Sequence, residues 1–451
     1  MLSPQRRTEI FETMPVRKAV LHQVAPSILS QMVALLYNLA DTYFVGLLNS
    51  PVQTAAVTVS TPPFLMLTAV SNLFGVGGAS AISRALGVKE SEKAKQIAAV
   101  SFWLGLCAAV VFCILFVLLA APILTLCGAK SDTLSVALGY TRWTIIAGGV
   151  GTVLNILLAN LVRAEGNASM ASFGVSMGGI MNIILDPFFV LPRFMNMGAA
   201  GAGLATAISN LCAALVLLGY LLWSKSTVLH LAAGDLRYIG AHLKTILSVG
   251  FPSALQYALT VVAVAAQSRF VAKYATEAIA ALGIVKKIDM LPLYTCIGIS
   301  TGLLPLLAYN YAAGNQKRRQ QAFRFGCTIA VGFALLCVAA FEIFAPQLTG
   351  IFIDDAVTVG YASQFLRRMV LAMPLMSLSY PMIIQFQAMG KAKESLICSV
   401  LRKGVLDIPL LFVMDALLPL YGCMWVQPIV DTVALCAALI LYKKMKTDEK
   451  V

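Results

Sequence analysis

KAVLHQVAPSILSQMVALLYNLADTYFVG at residues 18–46 and KTILSVGFPSALQYALTVVAVAAQSRFVA at residues 244–272 are two versions of one segment. Lys18, Pro26, Phe44 and Val45 recur as Lys244, Pro252, Phe270 and Val271, each at an offset of 226. The register continues. Gly75 and Gly87 recur as Gly302 and Gly314 at 227, Ala164, Gly166 and Ala168 as Ala388, Gly390 and Ala392 at 224, Pro187 as Pro409 at 222, and Gly201 as Gly422 at 221. An ordered series with slowly drifting offset is the mark of a duplicated chain, in which small insertions shift the register without breaking it.

Each of these segments is apolar over more than the roughly 20 residues that a bilayer-spanning helix needs. Working outward, similar runs appear at Phe102 to Leu126, Leu211 to Trp223 and Cys327 to Ala345. Of 451 residues, 59% are hydrophobic and 12% charged, where a soluble domain carries about 25% charged residues. Only helices or closed barrels satisfy their backbone in lipid, and runs of this length are helical. We therefore expect an all-α membrane protein of about twelve spans, roughly 19–48, 53–83, 96–126, 134–161, 169–191, 199–223, 246–272, 278–311, 326–349, 358–388, 397–418 and 421–442. The duplication divides it into an N-terminal six-helix lobe at 1–224, a polar link at 225–245 read as a plain tether, and a C-terminal six-helix lobe at 246–451. An even number of spans per lobe gives both the same orientation, with a cavity between them.

The net charge of +13 does not signal a nucleic-acid partner, because the basic residues form no face and no aromatic-interleaved patch. They fall in alternate loops. Arg6, Arg7, Arg17 and Lys18, then Arg84, Lys89, Lys93 and Lys95, Arg163, then Lys225, Arg237 and Lys244 lie on one side. Lys317, Arg318, Arg319 and Arg324, then Lys391, Lys393, Arg402 and Lys403, and finally Lys443, Lys444, Lys446 and Lys450 lie on that side too. This asymmetry predicts a multi-pass membrane protein with both termini facing the cytoplasm. The first apolar segment is too long for a cleaved signal and carries Asn38 and Asp41. Ten cysteines are scattered without a metal-ligand or disulfide pattern, so no metal and no cofactor is expected.

Intramembrane acids need a partner, a proton or water. Asn38 and Asp41 are i,i+3 in the first span, and Asn182 and Asp186 are i,i+4 in the fifth, so each pair shares a helix face. The two acids lie at matched depth. Pro187 has no N–H, which leaves the Ile183 carbonyl without its helical partner. Such a set of oxygens suits a hard cation, and two adjacent carboxylates equally suit a proton, so the residues alone leave H+, Na+ and a polar packing cluster open. In the other lobe the repeat places Gln267 opposite Asp41 and Gly404 opposite Asn182, which predicts a one-sided site. Lys286, Lys287 and Asp289 lie within the eighth span, where Lys286 and Asp289 at i,i+3 are expected to pair along the helix. Tyr257, Met290, Met373, Met376 and Tyr380 are candidates for a promiscuous chamber or, as readily, for ordinary packing.

Several of these segments resemble those of multidrug and toxic compound extrusion (MATE) transporters. Pro26, Tyr37-Asn38, Asp41-Thr42 and Phe44-Val45-Gly46 match their first helix; Gly77-Gly78-Ala79-Ser80, Ser83-Arg84 and Gly87, Arg163-Ala164-Glu165-Gly166-Asn167, Asn182 with Asp186-Pro187, Pro305 to Gly314, and Gln387-Ala388 with Gly390-Lys391-Ala392 follow in order. The resemblance covers nearly the whole chain. It implies two six-helix bundles, a monomer in membrane lipid, and export of small amphiphilic, often cationic compounds in exchange for Na+ or H+. It also implies that Thr206 is a cation-site position beside Asp41, Asp186, Asn182 and Asn38. The acids that some relatives carry on helices 7 and 10 are absent from those spans here, so the resemblance implies no second ion site. A flippase for lipid-linked saccharides shares the broader fold and would call for extra helices or a strongly cationic cavity. An intramembrane transferase would need paired acidic motifs for a metal diphosphate, and the only adjacent aspartates are Asp354-Asp355.

Overall fold

A computed structural model describes residues 4–224 and 227–448. Lys225 and Lys450, both part of the basic asymmetry, lie outside these residues. The N-terminal arm, Pro4–Thr8 and Glu9–Thr13, precedes α1 at Val16–Gly46. There follow α2 at Pro51–Gly87, α3 at Ser91–Leu126, α4 as Ser131–Thr141 and Gly149–Ala164, α5 at Ala168–Val190 and α6 at Ala199–Trp223. The second half repeats the order: α7 at Ile239–Val271, α8 at Thr276–Ala312, α9 at Gln316–Gly350, α10 as Ala356–Met369 and Met373–Ala388, α11 as Ala392–Arg402 and Asp407–Leu417, and α12 at Gly422–Asp448. Among the described residues there is no strand, so the expected all-α fold of two pseudo-symmetric halves is what the chain adopts.

Two of the expected crossings are sharply bent or broken. Among the described residues ten helices are long and apolar enough to span, and α4 is a pair bent by 47° at Gly148-Gly149. At the bend the α4 backbone lies against neighbouring side chains: a Cβ on Gly148 would lie 2.7 Å from Ala207 Cβ, and one on Gly149 2.7 Å from Cys113 Sγ. The other departure is α11. Its expected span is broken after Arg402, where Lys403 is extended and Gly404 has φ +129°, a left-handed value that glycine takes without strain.

The lobes touch on the side of the termini and part on the other. One hydrophobic core joins residues of both halves there, with Phe11, Val20 and Ile82 packed in the same cluster as Ile299, Leu303 and Phe386. On the opposite side the cores are separate, with Val45, Tyr140 and Val190 in one lobe and Phe270, Phe341 and Phe365 in the other. Small residues make the close seam. A methyl on Gly250 would overlap the Leu73 carbonyl, and one on Gly302 would come within 2.7 Å of the Gln23 carbonyl oxygen.

The arm straps that seam. Arg7 pairs with the fully buried Glu165 at 3.2 Å in the N-terminal lobe. Four residues on, Phe11 stacks on Tyr309 of α8 with centroids 4.5 Å apart. Arg318 then donates from Nε to the Phe11 carbonyl at 2.7 Å and from Nη2 to the Ile10 carbonyl at 3.0 Å. Glu12 is bonded by Lys89 and by Tyr309, and Lys89 holds the Glu12 carboxyl below the usual carboxylate range. That depression makes the contact present above Glu12's ordinary titration range and lost as pH falls through its lowered value. The link is also docked rather than a plain tether, since Thr227 Oγ1 and the Val228 amide both donate to Glu165 Oε2, at 2.9 and 3.0 Å. Removing the Phe11 ring by Phe11→Ala should therefore favour parting of the lobes on this side. A cysteine placed at the buried Ala308 should label several-fold faster, and an unchanged rate would show that the arm does not hold the seam.

Candidate functional site

Gly178 and Gly179 explain how the N-terminal lobe brings its polar residues together. A Cβ on Gly179 would sit 2.6 Å from Val33 Cγ1 of α1, and one on Gly178 would sit 2.9 Å from the Ser209 carbonyl of α6. α5 is thus wedged against both neighbours. One turn further along, Asn182 faces the same junction, and Asp186 follows after another turn. Asn182 Nδ2 donates to Asp186 Oδ1 at 3.5 Å and to Thr206 Oγ1 at 3.4 Å, both long bonds. On α1, Asp41 stands one turn beyond Tyr37 and reaches Asp186, Asn182 and Thr206.

Four of the five residues expected at a cation site therefore meet. Asp186 is 0% exposed, Asn182 1% and Thr206 4%, and three of their oxygens are enclosed without a hydrogen-bond partner: Asp41 Oδ1, Asn182 Oδ1 and Asp186 Oδ2. Asn38 is placed differently, because its amide turns back along its own helix to the Ala34 carbonyl at 2.7 Å. Two carboxyl groups in contact within a membrane cannot both be charged unless a cation lies between them. A proton shared by the pair, or a small cation ringed by these oxygens, satisfies the arrangement.

The C-terminal lobe has no such acid pair. Gln267, opposite Asp41 in the repeat, donates from Nε2 to the Cys423 carbonyl at 3.0 Å and so ties α7 to α12. Met373 and Met376 are 1% and 6% exposed in this conformation. Met290 is half-buried. Tyr257 lies close to Tyr380 and Tyr294, and the Tyr380 ring carries the Arg402 guanidinium 3.9 Å above its centroid.

Arg402 was expected in a loop with Lys403. Instead it is 1% exposed and pairs through Nε with Asp431 Oδ1 at 3.0 Å, while Gln427 Nε2 donates to Asp431 Oδ2 at 2.7 Å and Lys403 Nζ to Gln427 Oε1 at 2.5 Å. Lys286 and Asp289 form no ion pair along α8. Their i,i+3 spacing permits one, but Lys286 Nζ is enclosed without a hydrogen-bond partner. Sequence reasoning missed the Arg402–Asp431 network. The one signal for it was Gly404, which stops α11 and leaves Arg402 on the inward side of the break.

Two six-helix lobes meeting at one membrane face, with a polar cluster buried in one of them, define a polytopic transporter. The sequence profile of the MatE family matches residues 26–188 and again residues 252–413, once in each half. The chain belongs to that family, whose members are transporters and not enzymes. It is similar along its length to a multidrug export protein, MepA, of Staphylococcus saprophyticus subsp. saprophyticus, with 31% identity over 96% of this chain and 95% of the relative. A MepA of Staphylococcus aureus strain MRSA252 is 29% identical over 96% and 95%. Among solved structures, a multidrug resistance MATE family transporter in an outward-facing conformation superposes with a TM-score of 0.92 at 26% identity, over 99% of each chain.

Proposed function

We propose that the chain is a multidrug exporter of a bacterial cytoplasmic membrane, a monomer that exchanges amphiphilic, mostly cationic compounds for protons by alternating access of its two lobes. The contact of Asp41 with Asp186, flanked by Asn182 and Thr206, carries this reading. Losing or gaining the shared proton changes the charge of the α1–α5 junction, and Pro187 gives α5 a place to bend, so occupancy and lobe arrangement are linked. With the termini in the cytoplasm, the separation of the lobes on the far side is an outward-facing state. The division at 225–245 remains our reading of where one lobe ends and the next begins.

In proteoliposomes, an imposed pH gradient should drive uptake of a fluorescent cation without Na+. Uptake that needs a Na+ gradient and ignores pH would replace the proton by Na+ at the same site, a second reading favoured by the enclosed Asn182 Oδ1 and the Thr206 hydroxyl. Orientation has its own test. In a cysteine-free background, an impermeant maleimide added to intact cells should label a cysteine at Asp354 and spare one at Asp235; the reverse pattern would invert the topology.

A further inference from the structure

A groove of about 1050 Å³ runs between α5 and α6 at the end of the molecule that carries the termini, away from the acid pair. Its polarity is graded along its length. Asn167, Ser169, Tyr220 and Ser224 lie at the mouth, where α5 begins and α6 ends, and Arg6 of the arm lies with them. Phe173 and Leu215 line the deeper part, about 9 and 12 Å from those helix ends at roughly 1.5 Å per residue. Among the described residues that line the groove there is no acid. Gly219 keeps it open: a Cβ there would lie 3.0 Å from Cζ3 of Trp223, whose indole covers the glycine. Two polar groups at the mouth reach the arm. Asn167 Nδ2 donates to the Tyr220 hydroxyl at 2.9 Å, and that hydroxyl donates to Glu165 Oε1 at 3.1 Å, on the carboxylate that grips Arg7.

We propose that this groove is a site for one anionic phospholipid, with the phosphate against Arg6 and the Ser169 hydroxyl and an acyl chain along Phe173, Leu215 and Leu218. A guanidinium at the mouth with no acid beside it is complementary to a phosphate, and the apolar wall is complementary to a hydrocarbon tail. The depth order agrees, since the headgroup then lies at the helix ends and the tail points toward the bilayer centre. The loops on this side also hold most of the Lys and Arg of the chain, and basic margins draw anionic lipid. The arm gives the site a consequence. Arg7 fixes the arm to Glu165, so a lipid held by Arg6 fastens it at the preceding residue and favours the state in which the lobes touch on this side.

Native mass spectrometry of the purified full-length protein, titrated separately with phosphatidylglycerol and phosphatidylcholine, measures the affinity of the first lipid bound. The wild type should prefer phosphatidylglycerol. Arg6→Gln should lower that preference about fivefold, the worth of one basic residue at a charged lipid surface, and Arg6→Lys should keep it. Gly219→Leu, which fills the groove beneath the Trp223 ring, should weaken the first site for both lipids. Phosphatidylglycerol should also slow labelling of a cysteine at the buried Ala308 in the wild type and not in Arg6→Gln. Equal affinities for the two lipids, or a preference untouched by Arg6→Gln, would overturn the headgroup assignment. Undiminished first-site binding in Gly219→Leu would place the lipid outside the groove. Displacement of the lipid by an equal concentration of glycerol 3-phosphate would assign the mouth to a free phosphate and overturn the lipid. Labelling at Ala308 that ignores the lipid would overturn its hold on the arm.

Discussion

Asp186→Asn is expected to abolish gradient-driven transport while leaving the protein folded. The substitution keeps the volume and an acceptor for Asn182 but removes the group that gains and loses charge. Coupling between sites is typically worth about 1–3 kcal/mol, so its loss should cost up to roughly a hundredfold in gradient-driven flux. Asp41→Asn should do the same, since Asp41 reaches Asp186, Asn182 and Thr206 from α1. Gln267→Ala provides the contrast. Its amide holds a backbone carbonyl of α12 and faces no acid, so flux should fall far less than with either aspartate variant. Dye flux in proteoliposomes, with thermal unfolding as the control for folding, measures all three. Equal losses would defeat the one-sided model.

Asp431→Ala is expected to destabilise the C-terminal lobe by about 3–5 kcal/mol, the range found when one member of a buried ion pair is removed. Arg402 is 1% exposed and has no other anion bonded to it, so the variant strands a guanidinium above the Tyr380 ring. Thermal unfolding in detergent should show a midpoint lowered by several degrees. A second variant separates charge from packing. Asp431→Leu combined with Arg402→Met should recover much of the loss, because a buried pair replaced by apolar residues of similar size is often no less stable. An unaltered midpoint in Asp431→Ala would mean that Arg402 reaches water when the partner is gone.

The N-terminal acid pair was legible because an aspartate stands out in an apolar run, and because spacings of three and four set it beside an asparagine on the same helix face. Thr206 has no such contrast, and only resemblance drew attention to it. Asn38 shows the limit of spacing, which put it on the correct face but could not say that its amide bonds its own helix. The C-terminal network was hidden for a different reason. Arg402 and Lys403 sit between apolar segments and read as loop cations, and a turn created by Gly404 carries them inward. Arg7 and Arg318 were misleading in the same way, since both read as solvated loop charges and both grip partners at the seam. Local pattern reports which residues are polar; tertiary contact decides which polar residues are buried.

The single acid pair also sets a thermodynamic ceiling. In the proposed cycle the Asp41–Asp186 pair gains and loses one shared proton per turn. Exchange of one entering proton for one departing monovalent cation moves no net charge, and the membrane potential drops out. The steepest concentration ratio such a machine can sustain is then roughly tenfold per unit of pH difference across the membrane, because one pH unit is worth about 1.36 kcal/mol per proton. A second acid pair in the other lobe would square that ratio and, by moving a net charge each turn, add the membrane potential to it; a glutamine stands opposite Asp41 there instead.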